Sequence, residues 1–376
     1  MLKDIFKYFL YIGFAGFGGP LAIIEMMRKD LVTKKKWLDL NEFESVLGYA
    51  QIAPGAYAYQ VAMYIGYKKG GYIGALLAGF LLVLPSFLIV LIFSIFYSYY
   101  KDITYVKYAL YGLSPVIAAL IFQSGFSLSK SIFKKDIFLY VIFFASIGLT
   151  IFFKVQIIYI IIASAIIAIL YYIVTNKNKI FSFAVTIVLT FLMQIKVEIS
   201  IKLEELALLF LKVGALTYGS GFVIVGVLRQ EVVENLKWLT AQEFIDGLAF
   251  GQITPGPVVI TSTFIGYLTS GFMGAVVGTF CIFLPTTIIV LFLAKNINKF
   301  KDNFYLRAAI RGANAAAIGA ILATAYFISR DAIVDTYTLF FFLSGLLLLI
   351  LTDIKPIFLL ASFAILGIIV KFLSAL

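Results

Sequence analysis

The chain has 376 residues, of which 62% are hydrophobic and 13% charged, with a mean hydropathy of +1.05. A soluble domain carries about a quarter charged residues, so a soluble globular protein is excluded. The net charge of +11 is read as loop lysine and arginine facing cytoplasm and anionic lipid, not as a nucleic-acid footprint. With no histidine and only Cys281, histidine catalysis, multi-cysteine metal sites and an intrachain disulfide are also removed.

Lys3 and Lys7 ahead of an apolar run resemble the start of a signal peptide. The same apolar-glycine pattern returns at 206–221, so the segment is kept in the fold. Apolar segments lie near 5–24, 43–67, 72–99, 105–128, 136–153 and 155–174, then a shorter one at 180–195. Six more follow, near 204–228, 243–268, 272–294, 306–328, 336–352 and 355–373. Runs near ~20 apolar residues cross a hydrocarbon core of ~30 Å as helices, the only open-chain form that satisfies its own backbone there. The pattern predicts an all-α, polytopic transmembrane helical bundle in the plasma or inner membrane. Asn176-Lys177-Asn178-Lys179 marks a boundary, giving repeat one at 1–179, a linking segment at 180–203 and repeat two at 204–376.

The two halves share more than composition. Gly18-Gly19-Pro20, Arg28, Trp37, Glu42-Phe43, Gln51, Pro54-Gly55 and Gly66-Tyr67 are echoed in order. The echoes are Gly219-Ser220-Gly221, Arg229, Trp238, Glu243-Phe244, Gln252, Pro255-Gly256 and Gly266-Tyr267. Trp37 and Trp238, like Gln51 and Gln252, are 201 residues apart, and Pro85 and Pro285 are 200 apart. That is a tandem duplication. If every segment crosses once, seven crossings separate the copies and they lie inverted; a re-entrant Gly/Pro segment or an in-plane 180–195 would change the parity. Lys34–Lys36 and Lys130 fall three such crossings apart, so loop charge gives no orientation on this count.

Proline removes a backbone donor and clashes with the preceding turn, so continuous helices through Pro20, Pro54 and Pro255 are not expected. A Gly-Pro pair starts a new half-helix whose first amides have no intrahelical partner. Such an end carries about +0.5 of an elementary charge, and four converging ends would supply about +2, enough for a dianion. Gly18, Gly19, Pro20, Gln51, Pro54, Gly55, Gly219, Ser220, Gly221, Gln252, Thr254, Pro255, Gly256 and Pro257 are the candidate substrate-binding residues, with broken helices at the midplane. The alternative is kinks and close-packing glycines, common in membrane helices; matched breaks in two repeats favour a transporter site. Arg229 and Lys212 are candidates for attracting an anion and Glu25 for proton coupling, with Arg28 and Glu231 completing the charge and coupling candidates. Snorkelling or loop ion pairing remains the alternative for Arg28, Glu42 and Glu243.

At these motifs the chain resembles the chromate ion transporter family in its long, two-repeat form. The resemblance rests on Phe17–Pro20 and Gln51–Gly55, on Trp238-Leu239-Thr240 and Asp246–Ala249, and on Gly251–Pro257 and Thr263–Tyr267. Pro54-Gly55-Ala56 and Gly219-Ser220-Gly221 depart from that pattern, as does Ile23-Ile24 where many members carry histidine. The resemblance implies a secondary transporter exporting chromate, with sulfate as a related oxyanion, and no enzyme activity. Expected partners are that oxyanion and membrane lipid, with a homodimer left open; no cofactor or metal is expected. An anion channel shares the cradle but not the alternation. An intramembrane lipid-phosphate enzyme lacks the nucleophile-base pair or metal ligands it would need.

Overall fold

A computed structural model describes residues 1–50, 54–132, 136–175, 202–216, 221–300, 303–352 and 354–374. Among the described residues there are fourteen α-helices and no strand. Repeat one contributes α1 (Leu2–Ala15), α2 (Gly19–Arg28), α3 (Leu40–Ala50), α4 (Tyr57–Tyr100), α5 (Thr104–Ile132), α6 (Ile137–Ile151) and α7 (Ile157–Thr175). Repeat two contributes α8 (Lys202–Leu216), α9 (Phe222–Arg229), α10 (Ala241–Ile253), α11 (Thr261–Phe300), α12 (Phe304–Ala332), α13 (Thr336–Leu351) and α14 (Pro356–Leu373). The expected segment at 180–195 lies outside the described residues.

The segments expected to cross singly at 5–24, 43–67, 204–228 and 243–268 instead fold back as helical hairpins. In the first, Gly18 (φ +105°) and Gly19 (φ +82°) turn the chain, and α2 with its π-turn Lys29–Lys34 returns beside α1. The Tyr8 and Trp37 rings then lie 5.4 Å apart. In the second hairpin, Glu42 at the start of α3 pairs with Lys68 at 2.8 Å, and the Tyr57 hydroxyl donates to the Leu47 carbonyl. Its tip is Pro54-Gly55, with Gly55 at φ +130°. Repeat two copies both devices: Lys212 pairs with Glu231 across the first, and Gly247 abuts Phe264 across the second. A third turn splits α4 at Gly70-Gly71 and α11 at Ser270-Gly271, where φ of +62° and +63° combines with ψ of −153° and −152°, a pairing essentially open only to glycine. The arms of these turns touch backbone to backbone, Gly66 on Gly74 and Gly266 on Gly274.

These contacts fix the symmetry. The long arm 72–100 begins beside Leu2 and Ile5, which defines the proximal end of the bundle. It finishes at the distal end, where Lys101 pairs with Glu243 at the base of the α10–α11 hairpin, at 2.7 Å. Repeat one therefore inserts its hairpins from the proximal end and repeat two from the distal end, an inverted arrangement. Two re-entrant segments per repeat change the crossing count twice, so the parity survives the miscount.

The repeats also exchange elements. Gly112 of α5 receives α14 at Phe363 and Gly367, while Gly312 of α12 receives α7 at Ser164 and Ala168. The α6 residue Ser146 donates to the Ala316 carbonyl of α12 at 2.7 Å, and Gly345 of α13 packs on Val116 of α5. Matching polar clusters close the two ends. Asp136 accepts from Arg311 and Tyr172 proximally, and distally Asp335 accepts from Tyr111 and is ion-paired to Lys371. Small residues at these crossings let backbones approach in lipid, where no hydrophobic drive separates helix from tail. Helices or helix pairs covering Tyr57–Tyr100, Thr104–Lys130, Val258–Lys295, Phe304–Ala332 and Pro356–Leu373 are long and apolar enough to cross a membrane. The protein is a multi-pass helical membrane protein.

Candidate functional site

The hairpin tips meet at mid-bundle. The Gly256 amide donates to the Gly16 carbonyl at 3.0 Å, joining the second tip of repeat two to the first tip of repeat one. Ser86, just past Pro85, donates to the Pro255 carbonyl, and Gly256 leaves no room for a Cβ beside it. The mirror contact places Gly55 against Thr286, just past Pro285, and the Tyr59 hydroxyl 2.8 Å from the Thr287 hydroxyl. Each tip is thus seated on the other repeat's long arm.

Beside this joint lies a cavity of about 370 Å³, lined by Gly18, Gly19 and Pro20, by Tyr57 and Gln252, and by Gln123, Ser124 and Ser127 of α5. Leu349, Thr352, Ile354 and Pro356 form its proximal rim, so it opens toward that end. Among the described residues, no charged side chain lines it. Four helices begin at its wall: α2 at Gly19, α4 at Tyr57, α9 at Phe222 and α14 at Pro356. None of the four has a side-chain cap. Five helix starts elsewhere are capped: Asp39 accepts from the Glu42 amide in α3, and Asp136, Thr240, Asn303 and Asp335 cap α6, α10, α12 and α13, while α1 starts uncapped behind Met1. Four uncapped starts thus share one space.

The magnitudes favour an anion there. Four open N-termini supply about +2. The C-terminal ends of α10 and α13 also border the cavity, at Gln252 and Thr352, and would subtract about 1. Thr254 and Thr352 bond back to the Gly251 and Leu348 carbonyls, which reduces that opposing contribution. A positive remainder acts in a low-dielectric space, where it counts for more than in water. Gln123 and Ser127 stand one helical turn apart with Ser124 beside them, and with Gln252 they give neutral donors suited to the oxygens of a tetrahedral anion. Among the described residues, the wall offers no buried lysine that would hold a dianion too tightly to release.

The inverted copy of this cavity differs. It is about 90 Å³, and Thr324 and Phe327 stand where Ser124 and Ser127 stand in the first. Arg229 lines it, with a side chain 7% exposed that is ion-paired to Glu234 and, at 2.5 Å, to Asp331. One end of the molecule is open and the other is shut.

The sequence-predicted residues divide into groups. Gly18, Gly19, Pro20 and Gln252 line the cavity, and Gly221 precedes α9 at its wall. Pro54, Gly55, Thr254, Pro255, Gly256 and Pro257 form the tips and the inter-repeat joint. The Pro54 carbonyl accepts from Gln60, and Thr254, 4% exposed, caps α10. Gln51, Gly219 and Ser220 lie outside the described residues. Glu25 and Arg28 pair with each other on the exposed flank of α2, at 2.7 Å, away from the cavity. Lys212 and Glu231 pair at 3.3 Å, and Arg229 belongs to the shut copy. Sequence reading missed Tyr57, Gln123, Ser124, Ser127 and the start of α14. The signals were present as a Gln-Ser-x-x-Ser stripe in an apolar helix and a Lys355-Pro356 start without a capping residue.

The family described as Chromate transporter matches residues 3–169 and 204–368, one stretch in each repeat. A probable chromate transport protein of Synechococcus elongatus is 33% identical over 353 residues, 93% of this chain and 89% of the relative. A chromate transport protein of Cupriavidus metallidurans is 33% identical over 340 residues, 90% of this chain and 85% of the relative. An uncharacterized transporter of Methanocaldococcus jannaschii is 34% identical over 316 residues, 80% and 77% of the two chains. No solved structure matches significantly. With both repeats matched and the relatives aligned nearly end to end, the chain belongs to the chromate transporter family, a family of transporters and not of enzymes.

Proposed function

We propose that this protein is a secondary carrier of a tetrahedral oxyanion, chromate with sulfate as a close analogue, exporting it across the plasma membrane by alternating access. The observation that carries this reading is the convergence of four uncapped helix starts on a neutral polar cavity. The names of the relatives in Synechococcus and Cupriavidus support chromate as the solute. Repeats 1–179 and 204–376, joined through 180–203, rock against each other about the tip joint.

The hairpins support export as the direction. With 5–24 and 43–67 re-entrant, Lys34, Lys35, Lys36, Lys68, Lys69 and Lys130 all fall at the proximal end. By the positive-inside rule that end is cytoplasmic, and the open cavity loads from the cytoplasm, as an exporter requires. Arg28 and its neighbour Lys29 on the exposed proximal arm raise the local anion concentration. The shut copy around Arg229 supports a carrier over an open channel, because a channel needs both ends open at once.

The test is flux of labelled chromate in proteoliposomes, competed by sulfate, molybdate and phosphate. Saturable counterflow, inhibited by sulfate, is the expected result; non-saturating flux without counterflow overturns the carrier in favour of a channel. Gln252→Ala and Gln123→Ala should each raise the KM for the oxyanion about ten-fold or more. A hydrogen bond to a charged group is worth about 1.5–3 kcal/mol.

A further inference from the structure

Asp246 is a buried carboxylate that the anion cavity does not use. It is 2% exposed and sits on α10, between the repeats. Two neutral donors hold it. The Tyr97 hydroxyl, on the long arm of α4, donates to Oδ2 at 2.8 Å, and the Gln242 amide donates to Oδ1 at 2.8 Å. Gln242 also donates to the Ser114 hydroxyl of α5 at 2.9 Å. Among the described residues, no cation touches Asp246. Lys101, the nearest in the same cluster, is paired with Glu243 one turn toward the distal end, at 2.7 Å.

The surroundings exclude other charges. From α4 the facing groups are Tyr97 and Lys101, and from α10 itself Glu243. The stretches 108–129, 261–294 and 312–329 of α5, α11 and α12 contain no charged residue. On α14 the sole charged residue is Lys371, which is held by Asp335 at 3.7 Å and lies over the Tyr111 ring. A lone carboxylate among apolar helices costs several kcal/mol unless it is well satisfied or neutralised. Its partners permit both forms. Facing the ionised group, Tyr97 donates; facing the protonated group, the same hydroxyl rotates and accepts, and the other carboxyl oxygen still accepts from Gln242.

We propose that Asp246 is the proton-coupling site of the transport cycle, binding one proton on a carboxyl oxygen from the water at the distal end and releasing it to the proximal side once per turnover, as the oxyanion moves the other way. The proposal rests on the carrier reading above. Ionised, Asp246 ties α10 to the long arm of α4 through Tyr97. Protonated, it makes a weaker, neutral hydrogen bond, and the α10–α11 hairpin is released to move against α4. Because α10 carries Gln252 into the cavity, proton occupancy and oxyanion occupancy bias the same hinge. Position 45, the repeat-one counterpart, is serine, so one carboxylate serves the whole molecule.

The experiment uses the full chain in proteoliposomes with labelled chromate, measuring counterflow without a pH gradient and accumulation driven by an imposed one. Wild type should do both. Loss of wild-type counterflow would sink the carrier reading; counterflow without pH-driven accumulation would sink only the proton site. Asp246→Asn, which mimics the protonated form, should exchange at a reduced rate and lose pH-driven accumulation entirely. It should also lose the carboxyl stretch that appears in infrared difference spectra after a pH step, a signal that a merely structural aspartate would not give. Tyr97→Phe keeps the carboxylate but removes a donor to its ionised form, so the transport-pH midpoint should move to higher pH. Accumulation by Asp246→Asn, or an unmoved midpoint in Tyr97→Phe, overturns the assignment.

Discussion

Gly256→Ala should nearly abolish folded protein in the membrane, although it adds a single methyl group. At φ +109° an L-residue is strained by about 1–3 kcal/mol. The new Cβ would collide with the Ser86 hydroxyl, which donates to the Pro255 carbonyl. Displacing that hydroxyl leaves a buried carbonyl unpaired, at about 1–3 kcal/mol more. The sum is a large share of the stability of a typical domain. Ser86→Ala relieves the collision, so the double variant should be more stable than the sum of the two single losses. A thermal-melt cycle in detergent measures the coupling, expected at about 1 kcal/mol or more. Strict additivity would mean that the tip does not rest on the long arm.

Asp331→Ala is the second large effect. Arg229 is ion-paired to Asp331 and Glu234 and lies over the Phe327 ring at 5.3 Å. Removing one partner leaves a buried guanidinium with Glu234, itself 38% exposed, and costs about 3–5 kcal/mol. Replacing the pair by apolar residues, Arg229→Met with Asp331→Leu, should restore most of the melting temperature. It should not restore transport, because the distal closure that Arg229 provides would be replaced by a permanent apolar plug. If Asp331→Ala melts like wild type, the cluster does not hold that end shut.

The duplication, the helical membrane class and the glycine-proline breaks were legible because each is a local property of the chain. The hairpins were not. An apolar run of 25 residues with Pro54-Gly55 in its middle has the same composition whether it crosses or folds back. What decides is the seat for the tip, Ser86 for Gly256 and Thr286 for Gly55, and those partners are far away in sequence. For the same reason the part that Thr254 and Pro255 play in the joint was not legible. The cavity needed another kind of reading. Its charge comes from helix starts without caps, and a missing cap is harder to notice than a present one. Tyr57 and Pro356 carry no signal beyond the absence of Ser, Thr, Asp or Asn at the preceding position. The Gln123-Ser124-Ser127 stripe was visible, but nothing local marks it as facing Gly18 and not a neighbouring helix.

The uncapped starts make one demand above the rest: a negative charge on the wall must expel the solute without disturbing the fold. Equilibrium binding of radiolabelled chromate to purified protein, compared with Ser124→Asp and Ser124→Asn, measures this directly. The aspartate should weaken binding by a hundred-fold or more while the asparagine binds close to wild type, both with unchanged melting temperature. Equal binding by all three would show that chromate is held elsewhere in the molecule.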